Sequence, residues 1–200
     1  MVFNPGRVRD FSPRFQFNDN ELDVVEETKL LGLVIRSDLS WSSNTEYMVK
    51  RANKKLWTLK RLKKLGAETS DLLEVYVKQI RCILEFAVAV WQPSLTSEDR
   101  LKIERVQKSS LVIILGQDYS SYRYALKFVN LETLFTRRNK LCKKIAKKSQ
   151  KHPKFTKWFK PNDKITVTRS VPSKFCEVHY RTERFRKSPL SYLTSVLNTK

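Results

Sequence analysis

Two stretches of this chain carry positive charge at close spacing with no acid to offset it. The first holds Lys50, Arg51, Lys54, Lys55, Lys60, Arg61, Lys63 and Lys64, with no aspartate or glutamate between Tyr47 and Ala67. The second holds Arg137, Arg138, Lys140, Lys143, Lys144, Lys147, Lys148, Lys151, Lys154, Lys157 and Lys160, with no acid between Glu132 and Asp163. Ammonium and guanidinium groups spaced along a helix can follow successive phosphates and release their counterions. A solvated face is the bland alternative, but ordinary solvated faces mix both signs of charge. Trp57 flanks the first cluster, and Phe155, Trp158 and Phe159 interleave with the second. Aromatic rings in such company either stack on bases or serve as core residues.

Catalysis has less to work with. A polymerase-type two-metal centre needs clustered carboxylates, and the chain has no Asp-Asp pair. Asp19, Asp23 and Asp38 read as turn and surface residues, Glu26-Glu27 as loop charge, and Glu98-Asp99 as a helix start. No glycine-rich phosphate loop exists among four glycines. Cys82, Cys142 and Cys176 form no CxxC pair, and with His152 and His179 they give no zinc-ligand spacing. Three cysteines also argue against a disulfide framework and for a reducing, intracellular setting, nuclear or cytoplasmic. No catalytic residue, metal or cofactor is expected. Nor is a signal peptide or membrane partner, since no apolar run reaches spanning length.

The 200 residues carry 40 Lys+Arg against 20 Asp+Glu, a net charge of +20, and 40% hydrophobic residues. Such a chain can bury a core and calls for a polyanionic partner. Short strands are expected before residue 40: Phe15 and Phe17 alternate with polar residues, and Leu30 to Ile35 form an apolar run around Gly32. Helices should dominate afterwards. Ser43 with Glu46 suggests a capping box. Met48, Ala52, Leu56, Leu59, Leu62 and Leu65 then recur as an apolar stripe that ends at Gly66. A second helix is expected from Thr69 or Ser70 to about Trp91, with Ile83–Trp91 apolar on all faces except Glu85, and hence central and buried. Glu85 calls for a basic partner such as Arg81 or a base of the third helix. That helix should start at Thr96, with Asp99 closing a capping box, and stop before Gly116. A small helix near 121–129 follows. A long basic helix at 131–150 comes next, with Leu134, Leu141, Ile145 and Ala146 as its inner stripe. The stretch ITVTRSVPSKF has weak strand character, and a short helix is expected at 191–197.

Several phrases, in order, carry a family resemblance: KLLGLVIRSDLSWSSNTEYMVKRANKKLW at 29–57, LEFAVAVWQPSLT at 84–96, IERVQKSSLVIILG at 103–116, GQDYSSYRYAL at 116–126, RRNKLCKKIAKK at 137–148, HPKFTKWF at 152–159 and RTERFRKSPLSYLTSVLN at 181–198. Together they resemble the end of the palm, the thumb and the tail of Jockey-like non-LTR retrotransposon reverse transcriptases. The resemblance implies a mainly α fold, a helical thumb-like bundle with a small N-terminal strand pair. It divides the chain into 1–42 as a palm remnant, 43–160 as the thumb-like domain and 161–200 as a basic tail with a short helix. It implies binding of an RNA/DNA template–primer without a catalytic site of its own, with magnesium belonging to the intact polymerase. The partners implied are RNA and DNA, held through their backbones, and the polymerase palm. Leu31, Gly32 and Leu33 resemble the hairpin that holds the primer terminus. The same residues also read as a buried strand with a bulge glycine. A different reading of the whole makes the chain a protein–protein interaction module from a truncated or domesticated element.

Overall fold

The computed structural model describes residues 14–18, 20–162 and 174–199. The architecture is mainly α, preceded by two small antiparallel hairpins. β1 (Phe15–Phe17) pairs with β2 (Asn20–Leu22), and β3 (Glu27–Leu30) pairs with β4 (Leu33–Arg36). In the second hairpin Leu30 faces Leu33 across a two-residue turn, and Leu31 and Gly32 have φ of 48° and 84°. Positive φ at both central positions suits the right-handed twist of the strands they join.

Helix α1 (Ser42–Lys64) starts one residue before the expected Ser43 cap and lacks a side-chain cap. Ser42 is engaged elsewhere, its hydroxyl donating to Asp99 Oδ2 at 3.0 Å. Asn44 points back to the hairpin and accepts from the Val34 N–H at 3.1 Å. Met48, Ala52 and Leu59 are buried as the stripe requires, but Leu65 lies past the last turn and is 75% exposed. Gly66, at φ 84°, supplies the left-handed step that ends the run.

The expected second helix is one element interrupted twice. α2 (Thr69–Val75) passes into a π-helical stretch, Tyr76–Arg81, and then into α3 (Cys82–Glu85). The reason lies in the burial pattern: Leu72, Tyr76, Ile80 and Leu84 are all fully buried at a strict spacing of four. An α-helix turns in 3.6 residues, so such a stripe drifts by about 40° per step. The wider i→i+5 turn takes up that drift. The helix then breaks at Phe86, and Ala87 adopts a left-handed φ of 49° before α4 (Val88–Trp91). Ile83–Trp91 is therefore not a helix buried on all sides. Phe86 is 51% and Val90 36% exposed, whereas Val88 and Trp91 turn inward. Trp91 Nε1–H donates to the Phe86 carbonyl at 2.8 Å, satisfying a group that the break frees.

α5 (Ser97–Leu115) begins as expected. Thr96 Oγ1 accepts from the Asp99 N–H at 3.0 Å and donates to its carboxylate at 2.8 Å. It packs along α1 and carries Ile103, Val106, Leu111 and Ile114 into the core. Each such side chain removed from water contributes about 1.5–3 kcal/mol. α6 (Tyr122–Phe128) and α7 (Leu134–Lys151) also pack on α5, each with a capping hydroxyl, from Ser121 and Thr133. α8 (Glu183–Arg186) and α9 (Pro189–Asn198) follow, and α9 lies against α7 and α4. Phe159 and Phe175 meet edge-on at 6.0 Å, and the Asn198 amide clasps the Phe175 backbone through bonds of 2.9 and 3.0 Å. Most of ITVTRSVPSKF lies outside the described residues, as does Asp19.

Candidate nucleic-acid interface

The inward stripe of α1 turns its bases outward. Lys50, Arg51, Lys54, Lys55, Lys60 and Arg61 are all exposed. Among the described residues none of the six meets a carboxylate at ion-pair distance. Two of them rest on rings: Arg61 lies 5.7 Å from the centre of Trp57, and Arg51 5.5 Å from that of Tyr47. Lys29 of β3 reaches the same Tyr47 ring at 4.9 Å, which extends the face onto the hairpin. Hydrogen bonding with Lys29, helped by the Arg51 charge, holds the Tyr47 phenol below its ordinary pKa. Lys63 differs from its neighbours, since its ammonium donates to the Ile114 carbonyl at 2.9 Å. It neutralises the negative end of α5 rather than remaining free.

The second cluster is divided. Arg137 ion-pairs with Glu85, which Arg81 also approaches at 3.7 Å. Glu85 thus has the expected Arg81 partner, and its other base comes from α7 rather than α5. Arg138 is a correction: it is fully buried and cannot reach a phosphate at the surface. Its Nε–H donates to Gln92 Oε1 at 2.7 Å and its guanidinium lies 5.9 Å from the centre of the Trp91 ring, while both Nη atoms have no hydrogen-bond partner among the described residues. Burial pushes its pKa down from the usual arginine value. The buried stripe of α7 is Leu134, Arg138, Cys142 and Ala146, whereas Ile145 is 37% exposed. Lys140 pairs with Glu132. Lys143 is half-buried in a groove against Tyr192 of α9. Lys144, Lys147 and Lys148 are exposed with no carboxylate at ion-pair distance among the described residues.

Leu31 stands at the tip of the β3–β4 hairpin, 87% exposed, while Leu33 is buried. Gly32 sits against Phe86, where an added Cβ would come within 3.2 Å of the ring. The glycine belongs to a tight turn and to that contact, not to a strand bulge.

The other groups with chemical potential serve the fold. Asp38 accepts from the Ser40 N–H at 2.9 Å and meets Arg36 at 3.3 Å, closing a turn. Burial pushes the Cys142 thiol up to about 11, far from the thiolate form a nucleophile needs. A polar network absent from the sequence reading ties four elements together. Tyr76 donates to Gln107 at 2.5 Å, and Gln107 donates to Tyr122 and to the Glu132 carbonyl at 2.8 and 2.9 Å. Tyr122 donates to Glu104, which also accepts from the Leu134 N–H at 3.1 Å, at the positive end of α7. Burial, and for Tyr122 the Glu104 carboxylate as well, hold both phenols protonated well above their ordinary range. Tyr76 and Gln107 could have been found as polar residues standing in otherwise apolar stripes. Among the described residues no helix is long and apolar enough to cross a membrane.

Compared with protein-family models, with curated proteins and with solved structures, the chain matches none.

Proposed function

We propose that this chain binds nucleic acid through phosphates, as a thumb-like region gripping a template–primer duplex of RNA and DNA, with no catalytic site of its own. The observation that supports it is the α1 face: six exposed bases, no acid in the same stretch and no ion-pair partner among the described residues. Keeping so many like charges together costs stability through self-repulsion, which a polyanion relieves. The order of the phrases that resemble Jockey-like reverse transcriptases supports the same role, with the β3–β4 hairpin nearest the primer terminus. Phosphate contacts carry little base information, so binding should have little sequence preference.

The test is a salt titration of the whole chain with a labelled RNA–DNA hybrid. Neutralising six or more phosphates makes affinity fall by on the order of 10³ or more between about 50 and 200 mM salt. Changing Lys50, Lys54, Lys55 and Lys60 to Glu should weaken binding to every sequence and flatten that slope, with helicity unchanged. A folded variant that binds like the parent at every salt concentration overturns the proposal. A protein–protein role is the second reading, and it is favoured by two exposed apolar side chains, Leu31 at the hairpin tip and Phe86, whose ring lies against the same turn at Gly32. Nucleic-acid binding that is absent at low salt would leave that reading standing.

A further inference from the structure

The end of α7 carries a second kind of surface. Pro153 follows the last turn, and the chain winds on in tight three-residue turns. The Phe155 N–H donates to the His152 carbonyl at 2.9 Å, and the Trp158 N–H donates to the Phe155 carbonyl at 2.9 Å. Three residues per turn place every third side chain on one line. His152, Phe155 and Trp158 accordingly form a row of touching rings, with centres 5.1 and 4.8 Å apart and planes tilted by 41° and 53°. Each ring is preceded in sequence by an exposed lysine: Lys151, Lys154 and Lys157. The same three-residue period thus recurs in the lysines.

The row is closed internally. A base inserted between two rings needs about twice the 3.4 Å rise of a nucleic-acid stack, more than either spacing offers. The free aromatic surface is on Trp158, which is 53% exposed although Phe155 supports it. An indole braced by the Phe155 ring and close in sequence to exposed lysines suits a strand whose bases are unpaired, because bases inside a duplex have no face to offer. The absence of any acid between Glu132 and Asp163 suits a polyanion rather than an apolar peptide.

We infer that the exposed indole of Trp158, propped by Phe155 and through it by His152, is a stacking platform for single-stranded nucleic acid, with an unpaired base on Trp158 and its flanking phosphates on Lys154 and Lys157. This rests on the proposed nucleic-acid role and deepens it, adding a single-strand site to the duplex-gripping α1 face. In a template–primer complex the strand would be the unpaired template.

The experiment measures binding of the full chain, at low salt, to three labelled probes: a short oligouridylate, an abasic strand of equal length and charge, and an RNA–DNA hybrid. The oligouridylate should bind about 10- to 100-fold tighter than the abasic strand. Trp158→Ala should abolish that preference and leave the hybrid affinity unchanged, and Trp158→Phe should keep most of it. Equal binding of the two single strands by the parent chain overturns the inference without any variant. So does a Trp158→Ala loss shared equally by all three probes. Hybrid binding without a preference for bases removes the platform alone, whereas no binding to any probe removes the phosphate-binding proposal with it.

Discussion

Helices α1 and α7 look alike as strings of lysine, arginine and leucine, yet they use their bases in opposite ways. In α1 the buried positions are held by Asn44, Thr45, Met48, Ala52 and Leu59, so every lysine and arginine falls outside the stripe. In α7 the stripe runs Leu134, Arg138, Cys142, Ala146, and a base occupies one of its places. Arg137 alongside it is drawn to Glu85, and Lys140 to Glu132. Arg137 and Arg138 are thereby committed to contacts with other elements and Lys140 to a surface pair, and exposed charge without a carboxylate partner among the described residues resumes at Lys144. Charge density alone does not mark a binding face. Its phase relative to the apolar stripe decides whether a base meets solvent or the interior.

The largest expected effect that could break this contrast is at Arg138. Arg138→Ala should lower stability by about 3–5 kcal/mol, since it empties a fully buried site and strands Gln92. The salt slope of nucleic-acid binding should not move. Arg138→Met should recover much of the loss in a denaturant titration, because it fills the stem volume and removes two unpartnered groups from the interior. A flattened salt slope with unchanged stability would instead make α7 a second α1. A middle-sized effect is expected at the Glu85 pair. Glu85→Gln should cost about 1–2 kcal/mol, and a double-mutant cycle with Arg137→Met should show coupling between the two sites. Additive losses would mean that Arg137 is as free as the bases of α1. The smallest effect belongs to α1 itself: Lys54→Ala or Lys60→Ala should change the unfolding free energy by no more than about 0.5 kcal/mol. A larger loss from either would place that lysine in a structural contact.

Much of the fold was legible because local chemistry and burial agreed. The Thr96–Asp99 box, the stops at Gly66 and Gly116 and the basic outer face of α1 are all present. The break at Phe86–Ala87 was not legible, because an alanine in the left-handed region has no sequence marker of the kind glycine provides. Two contacts hold it there, the Trp91 indole on the Phe86 carbonyl five residues back and, from far along the chain, the hairpin turn against the Phe86 ring. The inner stripe of α7 was misplaced at Ile145 for a similar reason. An arginine at position 138 hides a four-residue spacing that Leu134, Cys142 and Ala146 otherwise display. On the candidate site, the α1 bases were identifiable from sequence. The division of the 137–148 cluster was not, because it depends on Glu85 and Gln92, which lie far away along the chain.

The π-helical stretch Tyr76–Arg81 bears on chain length rather than on residue type. Its wider turn accommodates one residue more than α-helical hydrogen bonding would hold. Deleting any one residue within it would leave a continuous α-helix, outwardly the more regular structure. It would leave Leu84 and the residues beyond it near their present angle around the axis, because the drift over the three steps from Leu72 adds up to about 120°, close to the roughly 100° that one α-helical residue turns. Over evolutionary time this segment can exchange exposed residues such as Lys78 or Gln79 freely, and it can lose one of them without turning the stripe beyond it. A descendant chain that lacks one exposed residue opposite positions 76–81 would keep Leu72, Tyr76, Ile80 and Leu84 on one face of a continuous α-helix, with no compensating insertion.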